Sequence, residues 1–204
     1  MRLSAWLCLS AAVMVAAAQD RTPPAVEVSL ELRRDGRWEA ADNERVFNAG
    51  DQIRFRFRTF FAGYLHVLNR TSGGESAWLY PRPEAEQSGR VEPGPVYLIP
   101  GARGSFVVGG TPGFDVTFWV IGDTPMATSA MPAFGSQPNT LLPRCREQVL
   151  KARGLCVDGR AGPRPAEGLT ARELTFRSEG GPTRISAQDS RPGVMVYEFR
   201  IAHR

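Results

Sequence analysis

Apolar and polar residues alternate along much of the chain with a period of two. Val26, Val28, Leu30 and Leu32 alternate with Glu27, Ser29, Glu31 and Arg33, the pattern of a half-buried strand. Asp35-Gly36 signals a tight turn that returns the chain toward Trp38. Val46-Phe47 is a short apolar touch before the turn Asn48-Ala49-Gly50. Ile53, Phe55 and Phe57 then take one face of a strand, and Arg54, Arg56 and Arg58 take the other. Each buried Phe contributes roughly 1.5–3 kcal/mol of transfer free energy, and a slip of one residue would turn three arginines inward. The register is therefore strongly set. The arginine row reads as a solvated outer face with cross-strand partners Glu27 and Glu31 in preference to an anion site.

Past a bend at Gly63, residues 64–68 are apolar on both faces except for His66. Such a strand belongs at the centre of a sheet covered on both sides, and His66 reads as a hydrogen-bonded core histidine. After the turn Thr71-Ser72-Gly73-Gly74, residues 77–80 form a short strand stopped by Pro81 and Pro83. Residues 83–95 are polar and broken by Pro and Gly, a surface loop. Short strands are expected at 96–99 and 105–108, and a strand apolar on both faces at 116–121. Short strands spaced by turn residues predict an all-β fold, an Ig-like sandwich or alternatively a barrel-like one.

The pattern changes after Asp123. Residues 124–140 are rich in Pro, Ser, Met and Gly and read as a loop. Leu142, Cys145, Val149 and Ala152 are spaced three, four and three apart, which predicts one short α-helix at about 142–153 with an apolar stripe. Asn139 or Thr140 would cap it, Pro143 would sit in its first turn and Gly154 at its end. The stripe would lay Cys145 inward on the sheet. A Pro/Gly loop follows at 158–168, and strands return at 174–176 and 194–201. These are expected to complete the same sheets, so that 19–204 is one domain and 124–204 its extension.

The start of the chain reads as a signal peptide over residues 1–18. Arg2 precedes an apolar run too short to span a bilayer, and Ala16 and Ala18 form a small-residue cleavage site. No other apolar run is long enough for a membrane span. Among 204 residues the net charge is +4, and basic and acidic residues are interspersed. Nucleic-acid binding needs a concentrated cationic stripe, so this class is set aside. Removal of Cys8 with the signal leaves Cys145 and Cys156, expected to pair in an oxidising compartment. Eight helical steps carry the chain about 12 Å and the three residues after Arg153 return at most about 10 Å. The bridge therefore requires the chain to fold back after Gly154.

Four segments in order, Gly50-Asp51-Gln52-Ile53-Arg54-Phe55, Gly63-Tyr64-Leu65-His66-Val67-Leu68-Asn69, Leu79-Tyr80-Pro81 and Pro112-Gly113, resemble a bacterial domain family of unknown function, numbered 4384. The resemblance covers about residues 45–123. It implies a small all-β domain of exported bacterial proteins, sometimes attached to peptidase or kinase modules, with no catalytic residues to carry over. The chain departs from the family at His66, where an aromatic is usual, and at Phe114-Asp115, where a small residue and Glu are commoner.

No G-x-S-x-G, P-loop, H-E-x-x-H or Cys-His motif is present, and His66 and His203 are the two histidines. No metal site and no cofactor is expected. Asp115 and Asp123 flank one strand and offer carboxylates to calcium, but capping a turn is the stronger reading. Asn69-Arg70-Thr71 is formally a glycosylation acceptor. These features favour an exported, non-catalytic binding module of the bacterial envelope with a protein or glycan partner. Trp78, Tyr80 and Tyr97, beside the 81–95 loop, are the candidate ligand-contact aromatics, with core packing as the competing role. The alternative is an envelope hydrolase with a site around His66, Asp51 or Asp115.

Overall fold

A computed structural model describes residues 23–82, 88–126, 141–166, 173–178, 181–189 and 193–204. The expected signal peptide, the capping residues Asn139 and Thr140, and part of each expected loop lie outside them. Among the described residues no helix is long and apolar enough to cross a membrane.

The alternating segments become two sheets laid face to face, antiparallel except where β3 joins the second. In the first, β1 (Ala25–Arg34) lies between β4 (Gln52–Thr59) and β13 (Thr183–Ala187). β12 (Leu174–Ser178) and β8 (Val96–Ile99) extend it on either side, β2 (Arg37–Ala41) pairs with β1, and β9 (Phe106–Val107) pairs with β4. In the second, β10 (Gly113–Gly122) lies between β5 (Gly63–Arg70) and β14 (Met195–His203). β6 (Ser76–Tyr80) and β7 (Arg90–Val91) pair with β5, β11 (Gly162–Pro165) pairs with β14, and β3 (Val46–Phe47) runs parallel to the end of β14. The two sheets stay separate, so the fold is an all-β sandwich and the barrel-like alternative falls away.

The core lies where the sequence pattern puts it. Val26, Val28, Leu30, Ile53, Phe55 and Phe57 of the first sheet meet Leu65, Val67, Trp119, Ile121, Tyr197 and Phe199 of the second. The Phe55 ring packs edge-on to Trp119 at 5.1 Å and to Phe199 at 5.3 Å, knitting the layers together. The hairpin between β1 and β2 turns at Asp35 (φ 48°) and Gly36 (φ 78°), the left-handed pair a two-residue turn demands. Gly63 opens β5 so close to β10 that a Cβ there would meet the Gly122 carbonyl oxygen at 2.7 Å.

Two of the three arginines meet the expected Glu31, but Arg54 is buried rather than solvated, and Glu27 pairs with Arg184 instead of with the row. Arg54 Nε donates to Glu31 at 2.5 Å and its Nη1 to the Ala102 carbonyl at 3.0 Å, while the guanidinium stacks 4.1 Å from the Trp38 ring. Arg56 lies 3.7 Å from Glu31, and Glu27 faces Arg184 at 3.4 Å.

The C-terminal part departs from the sequence reading in three ways. The helix α1 is Glu147–Arg153, not 142–153, and none of its residues is buried. Of the stripe, Leu142 is 62% exposed and Ala152 exposed, and only Cys145 packs inward, against Val46, Phe114 and Ala161, so the stripe as a whole does not lie on a sheet. The cause is competition for the backbone. The Arg144 amide donates to Asp158 Oδ2 and the Arg146 amide to the Val157 carbonyl, which hold 144–146 extended until a helix can begin at Glu147. Pro143 thus precedes the helix, whereas Gly154 closes it in the left-handed conformation (φ 62°). After Gly154 the chain does fold back, and Cys145 and Cys156 stand at disulfide distance with Cα atoms 4.8 Å apart. Finally, β11 occupies part of the expected 158–168 loop, and β13, which the sequence reading omits, adds a strand beside β1.

Candidate functional site

The inner face of the second sheet turns polar at one end. Along β5 the inward positions are Leu65, Val67 and then Asn69. Along β10 they are Ile121, Trp119, Thr117 and then Asp115. Thr117 is satisfied within the fold, since its hydroxyl accepts from Trp119 Nε1 at 2.9 Å and donates to the Phe199 carbonyl at 3.1 Å. Asn69 is different: its Oδ1 is buried without a hydrogen-bond partner. Opposite this polar end the first sheet offers Ile53, Phe55 and the 105–109 segment around β9. A pocket of about 330 Å³ lies between them, with Asn69, Thr71, Ser105 and Asp115 as its polar lining. Val107, at 67% exposure, marks its open side.

Asp115 is held from two directions. Its Oδ1 accepts the Ser72 amide at 2.8 Å and lies 3.2 Å from His203 Nε2. His203 is buried at the end of β14, 1% exposed, behind Asp115 and outside the pocket lining, to which β14 contributes Ile201. The Ser72 hydroxyl donates to the Thr111 carbonyl, so it is not directed at the imidazole. Asp115 is thus a fixed carboxylate inside strand β10 that caps the Thr71–Gly74 turn through the Ser72 amide, and it is not half of a calcium site with Asp123. Eight residues of extended chain separate the two by about 26 Å.

The other expected site residues lie apart. His66 is buried on the opposite face of the second sheet, against the Trp78 ring at 6.2 Å. Burial lowers its pKa from the usual value, and a hydrogen bond to the Met126 backbone opposes that shift. This is the core histidine the pattern implied. Asp51 caps its turn, accepting the Asn48 amide at 2.9 Å. The hydrolase constellation of His66, Asp51 and Asp115 is therefore not brought together. Nor do the three aromatics form one ring platform. Trp78 packs with Leu68, Phe118 and Val120 on the outer face, and Tyr80 packs on the main core. Tyr97 lies 6.3 Å from Phe57, and its hydroxyl accepts the Glu92 amide at 2.7 Å. Asn69 faces the pocket rather than open solvent, which a surface glycosylation acceptor would require.

A second polar knot sits beneath the disulfide. Asp158, 4% exposed, accepts the Arg144 and Arg160 amides and two guanidinium contacts from Arg160, at 3.0 and 2.6 Å. Burial pushes its carboxyl up, but these donors outweigh burial and hold its pKa at about 2. It ties the 142–162 segment to Glu44 through its own amide, at 2.8 Å.

Residues 46–125 match the family described as Domain of unknown function (DUF4384). That span bears out the resemblance read from the four segments. The DUF4384 match contains β3 through β10 and every pocket-lining residue except Ile201. No curated protein and no solved structure matches the chain.

Proposed function

We propose that the chain is an exported, non-catalytic binding module of the bacterial envelope, and that the pocket between the sheets is where it holds its ligand. The signal-like start, the paired cysteines and the family resemblance support export. The observation that carries the binding reading is the pocket itself: apolar walls with a few polar groups converge on it, the usual make-up of a ligand site. One of those groups is a buried carbonyl oxygen with no partner, which costs free energy until a donor arrives. The natural occupant is a small compound or a side chain presented by a protein or glycan partner.

The test is a fragment screen on the purified, disulfide-bonded protein, read by amide chemical shifts. Fragments that bind should move the amides of 105–109 and 69–71, and Val107→Arg at the open side should abolish those shifts without lowering stability. A screen that leaves both segments unmoved would sink the reading. One observation favours a second reading, an envelope hydrolase. A histidine oriented by a carboxylate, as His203 is by Asp115, is the arrangement of a general base. Turnover of an ester, amide or glycoside substrate that His203→Gln abolishes would move the assignment to that class.

A further inference from the structure

Resting on the binding reading, we infer that the inter-sheet pocket takes a primary ammonium carried on a short apolar stem. The residues lining it include one charged side chain, Asp115, and no lysine, arginine or histidine. The Asp115 carboxylate meets the Ser72 amide and the His203 ring through Oδ1, leaving Oδ2 for an incoming donor. Asn69 Oδ1 is a second acceptor without a partner. An ammonium group has three donors and no acceptor, so it answers both, and its charge offsets that of Asp115. A carboxylate or phosphate would bring acceptors to acceptors and a negative charge to a negative site.

The remaining walls set the stem. Ile53, Phe55, Leu79, Phe106, Val108 and Ile201 are apolar, which suits a hydrocarbon or aromatic stem. A volume of about 330 Å³ equals roughly eleven waters at their liquid volume. That suits an occupant of about ten non-hydrogen atoms and excludes a whole oligosaccharide. The shared chemistry, an ammonium on an apolar stem, has two sources: a free amine or a lysine side chain of a partner.

The experiment titrates three probes with one stem into the wild-type protein at neutral pH: phenethylammonium, 2-phenylethanol and 3-phenylpropanoate. Nα-acetyl-lysine-methylamide is a fourth arm for the side-chain source. Amide shifts locate binding and give Kd. The ammonium probe should move 105–109 and 69–71 and bind about tenfold or more tightly than the alcohol, the scale of a hydrogen bond to a charged group. The propanoate should not bind, and Asp115→Asn should erase the preference for ammonium over alcohol. Binding by the lysine derivative alone supports the side-chain source. If the alcohol or propanoate moves the same amides as strongly as the ammonium, the ligand class is wrong while the binding reading survives. If no probe moves them, or the ammonium binds elsewhere on the protein, the ammonium assignment is overturned, while the fragment screen alone decides the binding reading.

Discussion

Asp158→Asn is the sharpest test of how the C-terminal segment is held. The wild-type carboxyl has a pKa of about 2 in the fold against an ordinary 3.8. A group whose folded pKa is depressed contributes stability above its unfolded pKa and loses it as pH falls toward the folded one. The difference of nearly two units corresponds to about 2 kcal/mol at neutral pH. Almost all of it is present at pH 5 and most of it is gone at pH 2. The carboxylate is 5% exposed but its partner Arg160 is 34% exposed, so solvent screens part of the pairing and about 2 kcal/mol is the upper end of the effect.

The assay is urea unfolding of wild type and Asp158→Asn at pH 7, 5, 3 and 2, with the disulfide intact. At pH 7 and 5 the variant should be less stable by up to about 2 kcal/mol, since asparagine cannot take the charge-assisted bonds from Arg160. At pH 2 the two proteins should nearly coincide, because the wild-type carboxyl is then half protonated while folded. Other carboxylates titrate in this window too, but they are common to both proteins and cancel in the difference. A gap that stays constant from pH 7 to pH 2 would refute the assignment of the low pKa to the Arg160 and backbone donors.

Four further outcomes are expected. Phe55→Ala, which empties the ring site between Trp119 and Phe199, should cost about 3–5 kcal/mol in denaturant unfolding; a loss under 1 kcal/mol would mean the rings do not hold the sheets together. Replacing Cys145 and Cys156 with serine should lower stability by about 3 kcal/mol for the 11-residue separation, read by the same unfolding assay with wild type under non-reducing conditions as reference. Burial depresses the His66 pKa, so its contribution is intact above the ordinary value of 6.5 and declines as pH falls below it; His66→Phe should flatten the decline in melting temperature between pH 7.5 and pH 5. A fragment of residues 46–125, lacking the partners of β4 and β10 on β1 and β14, should give the dispersion of an unfolded chain in a proton spectrum.

Strand β4 was legible because its alternation is strict, and β1 for the same reason; the facing pairs Glu31–Arg54 and Leu30–Phe55 follow from it. The fold-back after Gly154 was expected from chain reach, but on the premise that Cys145 rides on the helix; the structure reaches the same pairing with Cys145 in the extended segment before Glu147. The helix was misplaced because a stripe of four apolar residues reports spacing, not competition. The amides of Arg144 and Arg146 find acceptors on Asp158 and Val157, and no periodicity reveals that. β11 was hidden by its prolines. It lies at the edge of its sheet, where a missing amide is tolerated. The pocket was partly visible. Counting inward positions by twos from Trp119 reaches Asp115, and from Val67 reaches Asn69. Both are polar residues at core positions near strand ends. In strands apolar on both faces the phase is weakly marked, so neither residue stood out until the facing sheet was in place.

The pocket and the family match divide the chain in an informative way. Asn69, Asp115, Phe55 and the 105–109 wall all fall within 46–125, whereas His203, which steadies Asp115, lies on β14 at the far end of the chain. Both sheets show the same division, since β4 pairs with β1 and β10 pairs with β14 from outside the match. The matched segment thus carries the groups that would meet a ligand, and the flanking strands cover its open edges and fix one carboxylate. Fixing matters for affinity, because a carboxylate already held by two donors loses less rotamer freedom when an ammonium arrives. Substitutions on β14 should accordingly change ligand affinity through the position of Asp115, while those at Asn69 act on the ligand directly. The two effects are separable: a β14 substitution that displaces Asp115 should narrow the gap between ammonium and alcohol, whereas a substitution at Asn69, a neutral acceptor, should weaken both probes alike.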